Sequence, residues 1–592
     1  MKHKLIVLAS ILLIVSACKN DTKNDQSETA EPVAEPYKLQ QTIYYNGDII
    51  TMEGDEPQYV EAVVQREGKI IFTGSKAEAF EQFEGKAKKH DLGGETMMPG
   101  FIEPHAHPVS IGAFILGNDI VAPHEWRMPH KTYPAAVGKE DYLAAVKKVV
   151  EEKKDLEYVL IWGYHQAWHG TLTASDLNSV TGDTPTLIFH RSGHEFYLND
   201  AAMEKYGVDT DKFENQDQID PENNHFWERG FQELRAGAIA PVYADNERLS
   251  IGMERISQMM LQNGLTAMAE PSFPNTEFHA EYDLLKAESD RSPFYSVYLI
   301  PGFPEQYTLK MGNEDFHEYI KNMKQYDTDN IEFLTDQYKT FSDGAIYSLA
   351  LQLEEGFANC PHCHAEWIMP PDIHKTVFDY YWDNNFKIHI HVTGDKGLQA
   401  AIDILDEAMK RNPREDHQTT MHHLGLFDEN QAQQMKDLGA EASVNPYYLW
   451  ALANKYGEIG FGEERAERMT AMKWLIDRDI PSSVHSDFAM APAEPLTLAW
   501  AAATRMSDDG TVKRPDLVIP VYDAMKAVTI DAARTISKEN NIGSIKEGKQ
   551  ATFTILKENP FKVDPMHIKD IKVQGIVYKG QFKINKANNL RR

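Results

Sequence analysis

The sequence predicts an α/β fold: a TIM-type (β/α)8 barrel joined to a composite β-sandwich domain built from both chain ends. Three observations predict it. Eight short apolar runs recur through the middle of the chain, most with a helix-like stretch after them. Strand-and-turn segments lie at opposite ends of the chain. Histidines, a lysine and an aspartate fall at the C-terminal ends of the apolar runs, the edge on which such a barrel carries its chemistry.

The N-terminus comes first. Lys2 and Lys4 precede an apolar run from Leu5 to Val15, too short to span a bilayer but suited to a signal peptide. It ends in Val15-Ser16-Ala17-Cys18, which resembles the lipobox of bacterial lipoproteins, so residues 1–18 are expected to be a lipoprotein signal with Cys18 as the lipidated residue. The alternative is an ordinary secretory signal with an incidental cysteine. Residues 19–37 lack aromatic and large aliphatic side chains up to their last position and read as a flexible tether. The expected location is the cell envelope, with the body lipid-anchored to a membrane.

Residues 38–98 read as strands and hairpin turns, with Asn46-Gly47 in "TIYYNGDIITM" and Glu67-Gly68 in "EAVVQREGKIIFTG". The C-terminal "QATFTILKENP" and "IKVQGIVYKGQFKI", turning at Lys579-Gly580, behave alike, so 38–98 and 535–592 are expected to share one β-sandwich domain. Residues 99–534 hold the barrel runs: "MMPGFIEPHAH", "LTAMAEP", "FYSVYLIPG", "DQYKTFSDG", "FKIHIHVTGD", "TTMHHLG", "EASVNPYY" and "PSSVHSD". Behind the fifth, Leu398, Ala401, Ile402, Leu405, Ala408 and Met409 fall on one helical face. The first two runs lie too far apart for one helix, which places an insertion at about 109–250, with its own strand in "PTLIFHRSGH".

Composition sets the class. At 592 residues, with 42% hydrophobic and 25% charged residues, the chain is globular and long enough for a large elaborated domain. A formal charge of −30 with no long basic run argues against nucleic acid as a partner. The expected partners are a small-molecule substrate and, through the anchor, a membrane; a homo-oligomer is compatible with the composition.

His105 and His107 stand one residue apart in "PGFIEPHAHP". Spacing alone says little, because 23 histidines in 592 residues give about one such pair by chance, and the chain has three. Position decides. His105 and His107 follow the first run, Lys339 lies on the fourth, His391 on the fifth, His423 on the sixth and Asp487 on the eighth. Four imidazoles and a carboxylate converging on one face suit one or two divalent ions, Zn2+ first. The remaining cysteines, Cys360 and Cys363 in "NCPHCHAEW", fit a local disulfide or free thiols, an auxiliary metal site, or a haem attachment string.

The blocks "MMPGFIEPHAHP", "YKTFSDGAIYS", "HIHVTGDKGLQAAIDILDEA", "MHHLGLF" and "SSVHSDFAMAPAEPL" resemble successive blocks of the metal-dependent amidohydrolase superfamily, in the family 3 branch that includes N-substituted formamide deformylases. "RSGHEFYLNDAAM" and "AVTIDAARTISKENNIGSIKEGKQATFTIL" extend the likeness over roughly residues 40 to 560. The resemblance implies a barrel with a composite β-domain and hydrolysis of amide-type C–N bonds. It selects His391 over His389 and His423 over His422 as ligands. It makes Asp487, which by itself reads equally as a helix cap, a metal neighbour and the proton-transfer group. In relatives with two metals the lysine matching Lys339 is carbamylated and bridges them; as a plain amine it would orient substrate or pair with a carboxylate. Arg191 and His194, in the insertion, are candidate substrate contacts or loop hydrogen-bonding groups. His165/His169 and His190/His194 have helical ligand spacing in a strand-and-loop context, which reads as coincidence.

The sequence departs from the pattern in three places. His422 stands where a glutamate is usual, Glu270 where an aspartate is common, and Ala551-Thr552-Phe553 where Ala-Asp-Leu is usual. The expected function is metal-dependent hydrolysis of an amide-type bond (N-acyl, N-formyl or cyclic). The rivals are an esterase or lactonase on the same site, a catalytically retired lipid-anchored binding protein, and a haem lipoprotein resting on "CPHCH".

Overall fold

A computed structural model describes residues 41–275, 277–363, 365 and 367–585. The signal peptide, Cys18 and the tether lie outside the described residues. Among the described residues no helix is long and apolar enough to cross a membrane.

Each of the eight apolar runs contains a strand, and a ninth, three-residue strand lies between the third and fourth. They are β1 (Phe101–Glu103), β2 (Leu265–Pro271), β3 (Ser296–Ile300), β4 (Ile331–Phe333), β5 (Gln337–Phe341), β6 (Lys387–Val392), β7 (Thr420–His423), β8 (Glu441–Val444) and β9 (Ser482–Val484). All pairings among them are parallel. Near-continuous burial along them is what helices covering such a sheet impose. The helix Asp395–Arg411 after β6 buries Leu398, Ala401, Ile402, Leu405 and Ala408, the face its period predicts.

The strands form two sheets, β4-β3-β2-β1 and β5-β6-β7-β8-β9, and are not closed into one continuous barrel. Both seams have a local cause. Between β3 and β5 the ladder shrinks to a single bridge, Gly302 to Lys339, because β4 takes the pairing edge of β3. A Cβ at Gly302 would stand 2.8 Å from the Lys339 carbonyl oxygen, so glycine permits this close approach. Between β9 and β1, Ala527 and Val528 intervene, accepting from Val484 N and Ile102 N at 3.0 Å each. Beyond the strand ends the two walls meet directly: Asp487 N donates to His105 O at 3.1 Å and His107 N to Phe488 O at 2.9 Å.

Strands from both chain ends share one eight-stranded sheet, in which Thr96–Pro99 pairs antiparallel with Phe553–Leu556. Between β1 and β2 the chain builds a separate six-stranded sheet that includes Val159–Tyr164, Thr186–His190 and Glu195–Leu198. Cys360 and Cys363 form a disulfide, so both sulfurs are consumed and neither is available for haem attachment or a metal.

Candidate metal centre

Parallel strands in register bring their last side chains to one edge, and the sequence puts imidazoles there. Lys339 is paired in register with His389, Phe341 with His391, and His391 with His422. His105 and His107 follow β1; His485 and Asp487 follow β9. Most are buried; His107, His391 and Phe341 are half-buried.

Asp487 is the hub. Its Oδ1 lies 3.5 Å from Nε2 of both His105 and His107, and its Oδ2 lies 3.7 Å from His423 Nδ1. Two groups of side chains bring ligand atoms within 4.8 Å of one another: His105, His107 and Asp487, and His105, His422 and His485. His391 stands beside His423, with ring centroids 4.4 Å apart. Asp487 and His423 have φ of 53° and 76°, the left-handed region that costs a non-glycine residue about 1–3 kcal/mol and clusters at functional sites.

The donor set fits a divalent ion. His107 Nδ1, His391 Nε2, His423 Nε2 and Lys339 Nζ are buried with no hydrogen-bond partner among the described residues. An unpartnered buried polar atom is costly, and four around one carboxylate describe a socket for a cation. Burial, and after it the Lys339 charge, holds His105 well below the usual imidazole range and pushes His107 to about 3. Neutral imidazole is the form that ligates. Burial likewise raises the Asp487 carboxyl and lowers the Lys339 amine, while their mutual attraction opposes both shifts.

Two imidazoles that sequence reasoning did not place at the centre belong to it. His422, standing where glutamate is usual, contacts His105 Nδ1 through its own Nδ1 at 2.8 Å. Its Nε2 lies 2.9 Å from His389 Nδ1, and His389 Nε2 is held by Gln337 Oε1 at 2.8 Å. This chain fixes the ring of His105 from behind, the role outer partners play at metal sites. His485 Nε2 lies 3.0 Å from His423 Nδ1, while its Nδ1 meets Ser443 Oγ at 2.9 Å. The signal for His485 was its place two residues before Asp487 in "VHSD". Glu103 anchors this corner, accepting from Ser486 Oγ at 2.6 Å and from Ser486 N at 3.1 Å.

Arg191 and His194 reach the centre from the insertion. The buried Arg191 guanidinium donates to the carbonyls of Ala489 (3.2 Å) and Met490 (2.8 Å), directly after Asp487. It is faced by the rings of Trp126, Trp162 and Tyr347 at 4.7–5.1 Å. Its visible work is to clamp the Asp487 loop. His194 pairs with Glu228 at 3.1 Å; burial opposes its charge, but Glu228 outweighs burial and raises its pKa. Its charge bears on Asp487 and His391. His165 and His169 give their Nε2 atoms to the Tyr347 and Ala136 carbonyls and form no ligand pair.

Comparison with known proteins places this geometry. The amidohydrolase family profile matches residues 89–583. YtcJ of Bacillus subtilis (strain 168) is 23% identical over 570 residues, covering 92% of this chain and 99% of its own. The N-substituted formamide deformylase of Arthrobacter pascens is 22% identical over 537 residues, 87% of this chain and 93% of that one. An uncharacterized metal-dependent hydrolase from Pyrococcus horikoshii OT3 superposes with a TM-score of 0.68 at 19% identity, covering 89% of this chain and 99% of that one.

Proposed function

We infer that this chain, which belongs to the amidohydrolase family, hydrolyses an amide-type C–N bond (N-acyl, N-formyl or cyclic) of a small molecule. The observation that carries the reading is the Asp487 carboxylate, equidistant at 3.5 Å from two imidazole nitrogens and ringed by unpartnered buried donors. His105, His107, His391, His423, Asp487 and Lys339 would hold one or two divalent ions; the imidazole-rich set favours Zn2+. Such an ion, when bound, supplies Lewis acidity that polarises a carbonyl and makes water acidic near neutral pH.

The chain's own groups do the rest. Asp487 takes the proton of the attacking water and passes it to the departing nitrogen, which leaves poorly without it. Burial raises the affinity of this carboxyl for a proton, which suits the first of the two transfers. Arg191 holds the loop that aims Asp487, and His422 holds His105. The insertion meets the centre through Arg191, and the His194 charge bears on Asp487. An esterase or lactonase would use the same groups, and the amine proton is the step that separates the readings.

The same reading has the body, residues 38–592, on a lipid anchor at Cys18 in the cell envelope. The test is metal analysis followed by a hydrolysis screen over N-acyl, N-formyl and cyclic amides against matched esters. About one or two divalent ions per chain and amide turnover are expected, both lost in a His105→Ala/His107→Ala variant. Metal bound without turnover on any amide would favour a retired binding protein; metal content unchanged by the double substitution would overturn the centre itself.

A further inference from the structure

A second site lies among the outer helices, lined by none of the metal-centre residues. The helices Phe278–Arg291, Phe303–Leu309 and Asn313–Met323 enclose a cavity of about 250 Å3. Its wall carries the rings of Phe278, Tyr319 and Tyr326, the first and last with centroids 4.8 Å apart. Glu305 lines it from the buried side at 5% exposure, and neither carboxyl oxygen has a hydrogen-bond partner among the described residues.

An isolated carboxyl at such a place needs a reason, since leaving a buried acceptor unmade costs about 1–3 kcal/mol. The lining carries two carboxyls, Glu277 and Glu305, one imidazole, His279, and neither lysine nor arginine. Burial pushes the Glu305 carboxyl well above its usual range, the nearby Tyr319 hydroxyl works against this, and the Glu281 charge adds to it. Aromatic faces beside a carboxylate attract organic cations, because ring quadrupole and charge act together once water is displaced. The volume falls below the roughly 300 Å3 at which drug-sized pockets begin, which limits the guest to a handful of heavy atoms.

We propose that this cavity binds a small organic monocation, a primary ammonium or amidinium, by an ion pair to Glu305 against the rings of Phe278, Tyr319 and Tyr326. The site is separate from hydrolysis and stands whether or not that reading holds.

The experiment titrates n-butylammonium and its neutral isostere n-pentane into the full-length protein, using calorimetry or melting temperature as the solubility of each allows, with n-butanol as the soluble neutral control. Butylammonium should bind at least about tenfold more tightly than butanol, the margin of a charge-assisted hydrogen bond. Glu305→Gln should abolish that margin, while His105→Ala/His107→Ala should leave it intact. Equal affinity for cation and alcohol in the wild type overturns the proposal without any variant. So does cation binding that survives Glu305→Gln or disappears with the two histidines. Potassium or calcium chloride matching butylammonium would overturn the organic class. If Glu305→Gln does not fold, Tyr319→Phe serves as the second variant: it should keep the preference for cation over alcohol, and loss of that preference would overturn the assignment to Glu305.

Discussion

Asp487 concentrates the mechanism at one side chain, and substitution there separates its roles. Asp487→Asn preserves size and some ligand capacity but cannot carry a proton. Turnover is expected to fall by roughly 10²–10⁴-fold, the usual worth of positioned proton transfer. Bound metal should fall much less, because four imidazoles remain around the socket. A helix cap alone would instead cost about 1 kcal/mol of stability and leave the rate untouched. Measuring kcat, metal content and Tm on one preparation decides between them. Arg191 illustrates the limit of reading residues from sequence: its pattern leaves open a substrate contact or loop hydrogen bonding, and the structure shows its donors going to the carbonyls of Ala489 and Met490. No local pattern announces a bond between side chain and backbone some three hundred residues apart.

The elements show what periodicity carries and what it does not. All eight runs contain strands, although several are short, such as Ser482–Val484 and Glu441–Val444, and what they share is a boundary of turn signals and a place in a repeating series. Ile331–Phe333 stands only three residues before the longer run at Gln337–Phe341 with no helix between them, which breaks the strand–helix rhythm, yet it takes the edge of β3 and opens the seam at Gly302. Alternation placed His389 and His391 on one face, and both do face the centre, but which ring nitrogen meets which partner depends on neighbouring strands. That is why His422 and His485 were undervalued: their contacts exist only across strand pairs. The helix Asn246–Gln262 offers an element-scale test. At Gly252 an added Cβ would lie 1.9 Å from the Ala113 carbonyl oxygen, backbone that cannot swing aside. Gly252→Ala is therefore expected to lower stability by about 1–3 kcal/mol, as overpacking does, despite alanine's better helix propensity. A denaturant midpoint at or above wild type would show that the two helices separate freely.

For the molecule as a whole, the formal charge of −30 favours solubility, and no described helix can cross a membrane. Cys18→Ala is expected to move the protein from membrane to soluble fractions while the hydrolytic rate of the folded body stays the same; membrane association that survives the change would refute the lipid anchor. The sheet shared by the chain ends has a consequence for how the protein is made. Phe101 N donates to Thr554 Oγ1 across 453 residues, and the adjoining strand Thr96–Pro99 pairs with Phe553–Leu556. While the ribosome is still elongating, the early strands have no partner on that edge, so the nascent chain carries an open sheet edge until its last stretch emerges. Completion of the fold is thereby tied to completion of synthesis: a prematurely terminated polypeptide keeps an unpaired edge, the feature that invites aggregation and gives quality-control machinery something to recognise.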